Sequence, residues 1–250
     1  MQRKLILSIV VLFITSVTAA GSASAQAAHL APDLIAEEVI AVFGGKSFDE
    51  IYVAHVNRRP QPPFPILRQL AISDCHAKLP IVADPVRSVS LRLSIDPVLA
   101  LFRAEDRDLI LFRGAEPNAF NLPGIAVGLS TGLIDMAAGE DDLIGIAAHE
   151  LAHELFVDIE HEKNFKADLS RQRQVELMCD AVAVAVIIRL GKDPATYAEV
   201  ITKILNYSPS TRATNNGFKS HPALASRLRV ITALSARAPS RSLEAQRNSF

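Results

Sequence analysis

The spacing of apolar residues predicts helices in the first and last parts of the chain. Residues 33–43 carry apolar side chains every three or four positions and are followed by two glycines, which predicts a helix that ends there. The proline-rich segment 57–65 is incompatible with regular structure, and a short helix is expected over 66–73. Near the end of the chain, helices are predicted over 194–206 and 220–236.

Alternation of apolar and polar residues predicts a small amount of β-structure. In 86–95, Val, Leu and Ile occupy every second position and Ser or Arg stands between them, which predicts a half-exposed strand. Residues 109–113 form a second short apolar run. Residues 125–131 follow a Pro-Gly turn and alternate in a way that suits an edge strand.

Two long helices are predicted in the middle of the chain. The first covers 143–157, and the acidic residues 140–142 stand at its start, where carboxylates complement the helix dipole. A polar loop is expected over 158–167, and the second helix then runs over 168–190. Because 181–188 is apolar all round, we expect this second helix to lie buried at the centre of the fold.

These elements predict an α+β fold, mostly helical, with a small β-sheet beside the helix over 143–157. The length suits one domain, over 26–236, and the Ser- and Arg-rich tail over 237–250 is expected to be disordered. The chain has 26 basic and 27 acidic residues, so no basic footprint for nucleic acid is present.

The first 25 residues predict a secretory signal peptide. Arg3 and Lys4 precede an apolar core over 5–14, and Ala23-Ser24-Ala25 is a suitable cleavage site. The alternative is an uncleaved anchor, although the apolar stretch is short for a span of about 20 residues. No Cys follows the apolar run, and no later stretch is long enough to span a membrane. The pattern indicates export to a periplasm, without an integral span after cleavage.

One pentapeptide within 143–157 carries recognisable chemistry: His149-Glu150-Leu151-Ala152-His153. On a helix, residues four apart lie on one face, so His149 and His153 can bind a single ion. Glu150 lies one step round the helix, where its carboxylate can reach a water molecule on that ion. An H-E-x-x-H helix is the arrangement of zinc metallopeptidases. A pattern this short also occurs by chance, so its sequence context decides.

A catalytic zinc site needs three protein ligands and an open position. Glu176, at the start of the second long helix, is the best third ligand; the alternative is a first-turn Glu that serves only the helix dipole. Asp180 is four residues further on and can accept a hydrogen bond from the second nitrogen of a zinc-bound His. Four other acids compete for the role of third ligand: Glu154, which points off the ligand face, and Asp158, Glu160 and Glu162, which lie in the expected loop.

From about residue 118 to 229, the chain resembles gluzincin metallopeptidases related to HtpX and the CAAX prenyl endopeptidases. Four pieces occur in the order found in that family. They are Asn118-Ala119-Phe120 with Pro123-Gly124 and Thr131-Gly132-Leu133, the H-E-x-x-H motif, Glu176 to Asp180 as E-x-x-x-D, and His221-Pro222 followed by Arg227. Many relatives are integral membrane proteins, and this chain resembles the exported, soluble members instead.

The resemblance implies a role for each motif residue. It implies that His149, His153 and Glu176 bind zinc and that Glu150 activates the water. Asp180 would orient a ligand His, and His221 would donate a hydrogen bond to the oxyanion. From position alone, the alternative for His221 is a helix cap.

The resemblance also implies a substrate-binding segment. Asn118 and the strand over 125–131, with Ala126, Val127 and Gly128, would hold the substrate backbone by β-augmentation. Arg227 is expected to be a structural ion-pair partner and not a catalyst.

The chain has two cysteines, Cys75 and Cys179, and an oxidising compartment would permit a disulfide between them. Cys179 stands where the family usually has a small Ala, so a buried small residue is the other interpretation. The sequence leaves both open.

These patterns predict a zinc-dependent endopeptidase that acts on misfolded or envelope proteins outside the cytoplasm. A polypeptide is the expected partner, membrane association is possible, and the oligomeric state is not encoded in any pattern. The alternative function is a non-catalytic, zinc-binding scaffold or chaperone-like module. A third possibility is a latent protease whose loop over 158–167 or 208–219 covers the site.

Overall fold

The computed structural model describes residues 32–207 and 221–237. They form a mostly helical α+β fold with a small mixed sheet, as predicted. The elements in chain order are α1 (Pro32–Phe43), α2 (Phe48–His55), α3 (Pro65–Lys78), α4 (Pro85–Leu101), β1 (Asp108–Phe112), β2 (Ala119–Leu122), β3 (Ala126–Ser130), α5 (Thr131–Met136), α6 (Glu140–Glu160), α7 (Leu169–Arg189), α8 (Pro194–Tyr207) and α9 (Leu224–Ala236). Short 3-10 turns occur at Val56–Arg58 and Phe165–Ala167.

The strand predicted over 86–95 is wrong, because this segment lies within helix α4. The Asp84 side chain accepts a hydrogen bond from the backbone N–H of Arg87, and Pro85 occupies the first helical position. The buried face recurs every three or four residues, through Leu91, Ile95 and Val98. Of the alternating residues that suggested a strand, only Val89 and Leu93 stand exposed, at 60 % and 65 %, so the alternation does not follow burial.

The three strands form one sheet in the order β1-β3-β2. Strand β3 pairs with β1 in parallel and with β2 in antiparallel register, so it is the central strand. The prediction of an edge strand over 125–131 is therefore wrong. The apolar run over 109–113 supplies the strand that covers its second edge.

The sheet separates two apolar clusters. Leu111, Val127 and Leu129 face the main core with the helices. Phe112 and Phe120 point to the other face, where Cys75 of α3 packs against them.

Helix α6 lies between the sheet and the other helices. It packs against β2 and β3 on one side and against α7 on the other. Helix α7 lies in the middle of the helical layer and contacts α1, α8 and α9 as well. Residues from Ala181 to Val184 are at most 2 % exposed, which confirms that this helix is central. The site described below lies where α6 meets α7.

Three predictions fall on residues outside the described ranges: the signal peptide over 1–25, the loop over 208–219 and most of the tail over 237–250. The described helices, in 32–207 and 221–237, include none with both the length and the apolar content needed to cross a bilayer.

Candidate metal centre

Two imidazoles project from one face of α6. His149 and His153 are one turn apart, and their ring centroids are 5.3 Å apart. The helix continues to Glu160, three residues beyond the predicted end. The motif histidines therefore stand in the body of a regular helix that is held between the sheet and α7.

Helix α7 brings the predicted third ligand to these imidazoles. Oε2 of Glu176 lies 3.5 Å from Nε2 of His149, and Oε1 lies 3.9 Å from Nε2 of His153. One ligand atom from each of the three residues lies within 4.8 Å of the others. The predicted meeting of His149, His153 and Glu176 is therefore present.

This donor set fits a zinc ion. Two imidazole nitrogens and one carboxylate are a ligand set of catalytic zinc sites, which leave a further position open. Oε2 of Glu176 is buried and makes no hydrogen bond, although Nε2 of His149 lies 3.5 Å away and Nδ1 of His221 lies 3.1 Å away. A buried carboxylate oxygen without a partner is costly, and a cation between the three side chains would relieve that cost.

The electrostatics of the site keep Glu176 ionised. Burial alone would raise the pKa of its carboxyl group. The neighbouring imidazoles of His221, His149 and His153 outweigh burial and hold this pKa well below its usual range. Glu176 is therefore available as an anionic ligand at neutral pH.

A buried hydrogen-bond network fixes the Nδ1 side of the His149 ring. Its Nδ1 lies 3.0 Å from Oδ1 of Asp180, as the sequence predicted. Arg227 donates from Nε to Oδ2 of Asp180 at 2.8 Å, which confirms that Arg227 is an ion-pair partner. The hydroxyl of Tyr197 donates to Oδ1 at 2.6 Å. Although burial opposes ionisation, Arg227 and the hydrogen bonds lower the pKa of Asp180 to about 2.

Sequence reasoning missed Tyr197. A side chain at Gly145 of α6 would collide with the Tyr197 ring, so this glycine admits the ring against the helix. Tyr197 comes from α8, and nothing in its surroundings in the sequence marks it as part of the site.

A second carboxylate, also missed, holds the other imidazole. Oε1 of Glu160 lies 2.7 Å from Nδ1 of His153. The sequence suggested that Glu160 was a competing metal ligand in a polar loop, but it lies in the last turn of α6. Seven residues are two helical turns, so Glu160 shares a face with His153. That spacing was the signal that could have revealed it.

These two carboxylates define which imidazole nitrogens face Glu176. With Nδ1 of each ring directed at Asp180 or Glu160, each Nε2 points to the centre of the site. Burial lowers the pKa of both imidazoles, but their neighbours outweigh it. Asp180 and Glu176 raise the pKa of His149, and Cys179 and Glu160 raise that of His153. Because a metal binds the neutral ring, protonation of these imidazoles competes with metal binding.

Glu150 lies beside the three candidate ligands without belonging to them. Burial raises the pKa of its carboxyl group, and the charges of His149 and His153 act in the opposite direction. A carboxylate whose pKa is moved towards neutrality suits proton transfer.

His221 also reaches the site. Its Nδ1 lies 3.1 Å from Oε2 of Glu176, and its side chain is 29 % exposed. The helix-cap interpretation is wrong, because the N-cap position of α9 is occupied by Ala223, two positions further on. The partly open position of His221 beside the candidate ligands is compatible with contact to a substrate.

The predicted substrate-binding segment requires a correction. The backbones of Ala126, Val127 and Gly128 are paired on both sides, so a substrate strand cannot add to them. The Asn118 carbonyl accepts a hydrogen bond from Ser130 N at 2.9 Å, so its backbone is engaged within the sheet. A contact between the Asn118 side chain and substrate stays a prediction.

Glu154, another competing acid, has a structural partner set. It is fully buried, and its oxygens accept hydrogen bonds from Arg59 at 2.9 Å and Arg107 at 3.1 Å. The backbone N–H of Gly124, in the turn between β2 and β3, donates to the same carboxylate at 2.9 Å. Glu154 therefore ties the motif helix to the sheet.

Both cysteines are free and buried, in different apolar clusters, so the disulfide is not present. Cys179 is buried in the main core, which agrees with the small-residue interpretation. Burial raises the pKa of its thiol to about 12.

Helix α6 carries two imidazoles, and the neighbouring helix adds a carboxylate. A potential general base lies beside them. This is the chemical arrangement of a metallopeptidase. The comparison with known families agrees: the sequence model of Peptidase family M48 matches residues 87–163. The matched segment runs from α4 past the end of α6 and contains both motif histidines. It confirms the resemblance to zinc metallopeptidases at the level of family M48. No curated protein matches the chain.

Proposed function

We propose that this protein is a zinc-dependent endopeptidase. The observation that carries the proposal is the convergence of His149, His153 and Glu176, with Glu150 next to them on the same helix. The M48 match supports zinc-dependent proteolysis in general.

His149, His153 and Glu176 would hold a zinc ion, which when bound polarises a carbonyl group and acidifies a water molecule. Glu150 takes a proton from the attacking water and passes it to the leaving amine. Asp180 and Glu160 keep the two imidazoles in the required tautomer and orientation. His221 donates a hydrogen bond to the oxyanion that develops on the substrate carbonyl.

The substrate backbone adds to the outer edge of β2. This strand packs against α6, and within the described residues its pairing uses only the edge that faces β3. An extended segment of any unfolded polypeptide can form such a strand, because main-chain hydrogen bonds do not depend on side-chain identity. This mode supports cleavage within chains and action on misfolded proteins.

The predicted signal peptide supports export, so the proposed substrates are misfolded or envelope proteins outside the cytoplasm. The periplasm is the proposed compartment.

The experiment measures bound metal and cleavage of an unfolded, casein-like protein. Wild type should bind one zinc ion per chain and lose cleavage when a chelator is added. Glu150→Gln should retain the zinc and lose about 10²–10⁴-fold in kcat, the usual contribution of general acid–base catalysis. Glu162→Gln, an exposed acid close to the same helix, is the matched control and should cleave normally.

Full activity in Glu150→Gln would exclude the mechanism. Zinc binding by wild type without any chelator-sensitive cleavage would favour the non-catalytic scaffold instead.

A further inference from the structure

A cavity of about 400 Å³ lies away from the metal centre, between the α1–α2 connection, α7 and the end of α9. Ligand sites in proteins commonly have volumes of roughly 300–1,000 Å³, so this cavity is large enough for a small molecule. Its walls include Phe43, Phe48 and Leu234.

Helix α7 forms the floor of the cavity. Ala181, Val184, Ala185 and Ile188 line it and recur every three or four residues, so they share one face of the helix. Glu176 and Asp180 lie on another face, towards the metal centre. The two alanines leave the space that larger side chains would fill. Ala185 and Ile188 remain partly exposed, although the rest of the apolar stretch is buried.

The rim of the cavity is basic. Among the described residues that line it, Lys46, Arg189 and Arg237 are cationic and Glu50 is the acid. The Glu50 carboxylate is turned towards the start of α2, where it accepts hydrogen bonds from Ser47 N at 2.7 Å and Ser47 Oγ at 2.8 Å. Arg189 pairs with Asp49, Nε to Oδ2 at 3.3 Å, so Lys46 and Arg237 are the cations of this rim that we expect to meet a ligand anion.

Arg237 is held at this rim by local packing. A side chain at Gly44 would collide with the Arg237 guanidinium, so the glycine leaves the space that the guanidinium occupies. Nη1 of Arg237 lies 3.5 Å from the carbonyl oxygen of Ile40, at the end of α1. One cation is thus positioned directly over the apolar walls.

We propose that this cavity binds a single-chain anionic amphiphile of the alkyl-carboxylate class. The alkyl chain lies against α7 and the two phenylalanines, and burying it provides the main driving force. The carboxylate stays at the opening, where the guanidinium of Arg237 and the ammonium of Lys46 neutralise it.

The test is a calorimetric titration of the full chain with dodecanoate below its critical micelle concentration. We expect one saturable site per chain and at least about tenfold weaker binding of dodecanol, which lacks the charge. Arg237→Gln should weaken dodecanoate binding about tenfold, and Arg113→Gln, an exposed arginine beside the sheet, should leave it unchanged.

Ala185→Leu fills the cavity from its floor and should reduce the affinity by at least about tenfold. Cooperative thermal unfolding of each variant verifies that it is folded. If Ala185→Leu does not fold, Arg237→Gln still tests the proposal. Absence of saturable binding, equal affinity for dodecanol, or wild-type affinity in a folded Ala185→Leu would overturn the proposal. If a chain that ends at Arg237 binds dodecanoate at least about tenfold more tightly than the full chain, the cavity would be assigned to residues 238–250. That result would also overturn the proposal.

Discussion

Glu160 lies 2.7 Å from Nδ1 of His153, two turns further along the same helix. His149, by contrast, is held by Asp180 from the neighbouring helix, at 3.0 Å. Each candidate metal ligand on α6 therefore has a carboxylate at its Nδ1. Glu160 is close to His153 in the sequence, whereas tertiary packing brings Asp180 to His149.

Removing either carboxylate should weaken metal binding. A group that orients a ligand His typically contributes about 10–100-fold to metal affinity. Glu160→Ala should lose affinity within this range, and Glu160→Gln, which can still accept a hydrogen bond, should lose less. Competition against a zinc chelator measures the affinity. Wild-type affinity in Glu160→Ala would contradict the orienting role.

His221→Ala should separate catalysis from metal binding. If His221 donates to the oxyanion, its loss should lower kcat by about 10²–10³-fold. Zinc content should not change, because the three proposed ligands remain. His76→Ala, an exposed histidine on α3, serves as the control. A rise in KM with unchanged kcat would instead indicate a role in substrate binding.

Asp180 should make the metal-free protein sensitive to acid. Its pKa in the folded chain is about 2, below the value of about 3.9 for an unfolded chain. Its contribution to stability, roughly 2–3 kcal/mol, is present above pH 4 and is lost as the pH falls through about 2. Denaturant unfolding between pH 5 and 2, with chelator present, should show a flatter dependence for Asp180→Asn than for wild type. The same slope in both would contradict this linkage.

The two thiols should be unreactive in the folded protein. Burial raises the pKa of Cys75, and it raises that of Cys179 to about 12, so neither is a thiolate at pH 8. A thiol reagent should detect neither cysteine in the native chain and both in denaturant without reductant. Detection of neither in denaturant would indicate a disulfide.

Glu154→Gln should destabilise the protein strongly. Removing one charge of a buried ion pair costs about 3–5 kcal/mol. Arg59 would lose its carboxylate partner, and the buried Arg107 would keep only its pair with Asp106. Asp96→Asn, which breaks an exposed pair with Arg92, should cost about 1 kcal/mol or less. Denaturant unfolding measures both. Equal losses would show that Glu154 does not tie α6 to the sheet.

The sequence by itself determined the parts of the site that follow from helical periodicity. Spacing of four residues placed His149 and His153 on one face, and the same spacing joined Glu176 to Asp180. The central position of α7 followed from its apolar composition. These inferences succeeded because each depends on contacts within one helix or on burial of a whole helix.

Only the tertiary structure decided which elements and side chains pack against one another. The place of β3 in the sheet depended on β1 as its second partner, and the helical state of 85–101 depended on which face of that segment met α6. Arg227 and Tyr197 reach Asp180 through packing of α8 and α9, and no local pattern encodes such distances. Contacts between residues far apart in the chain arise when buried faces meet, and that pairing is a property of the folded whole.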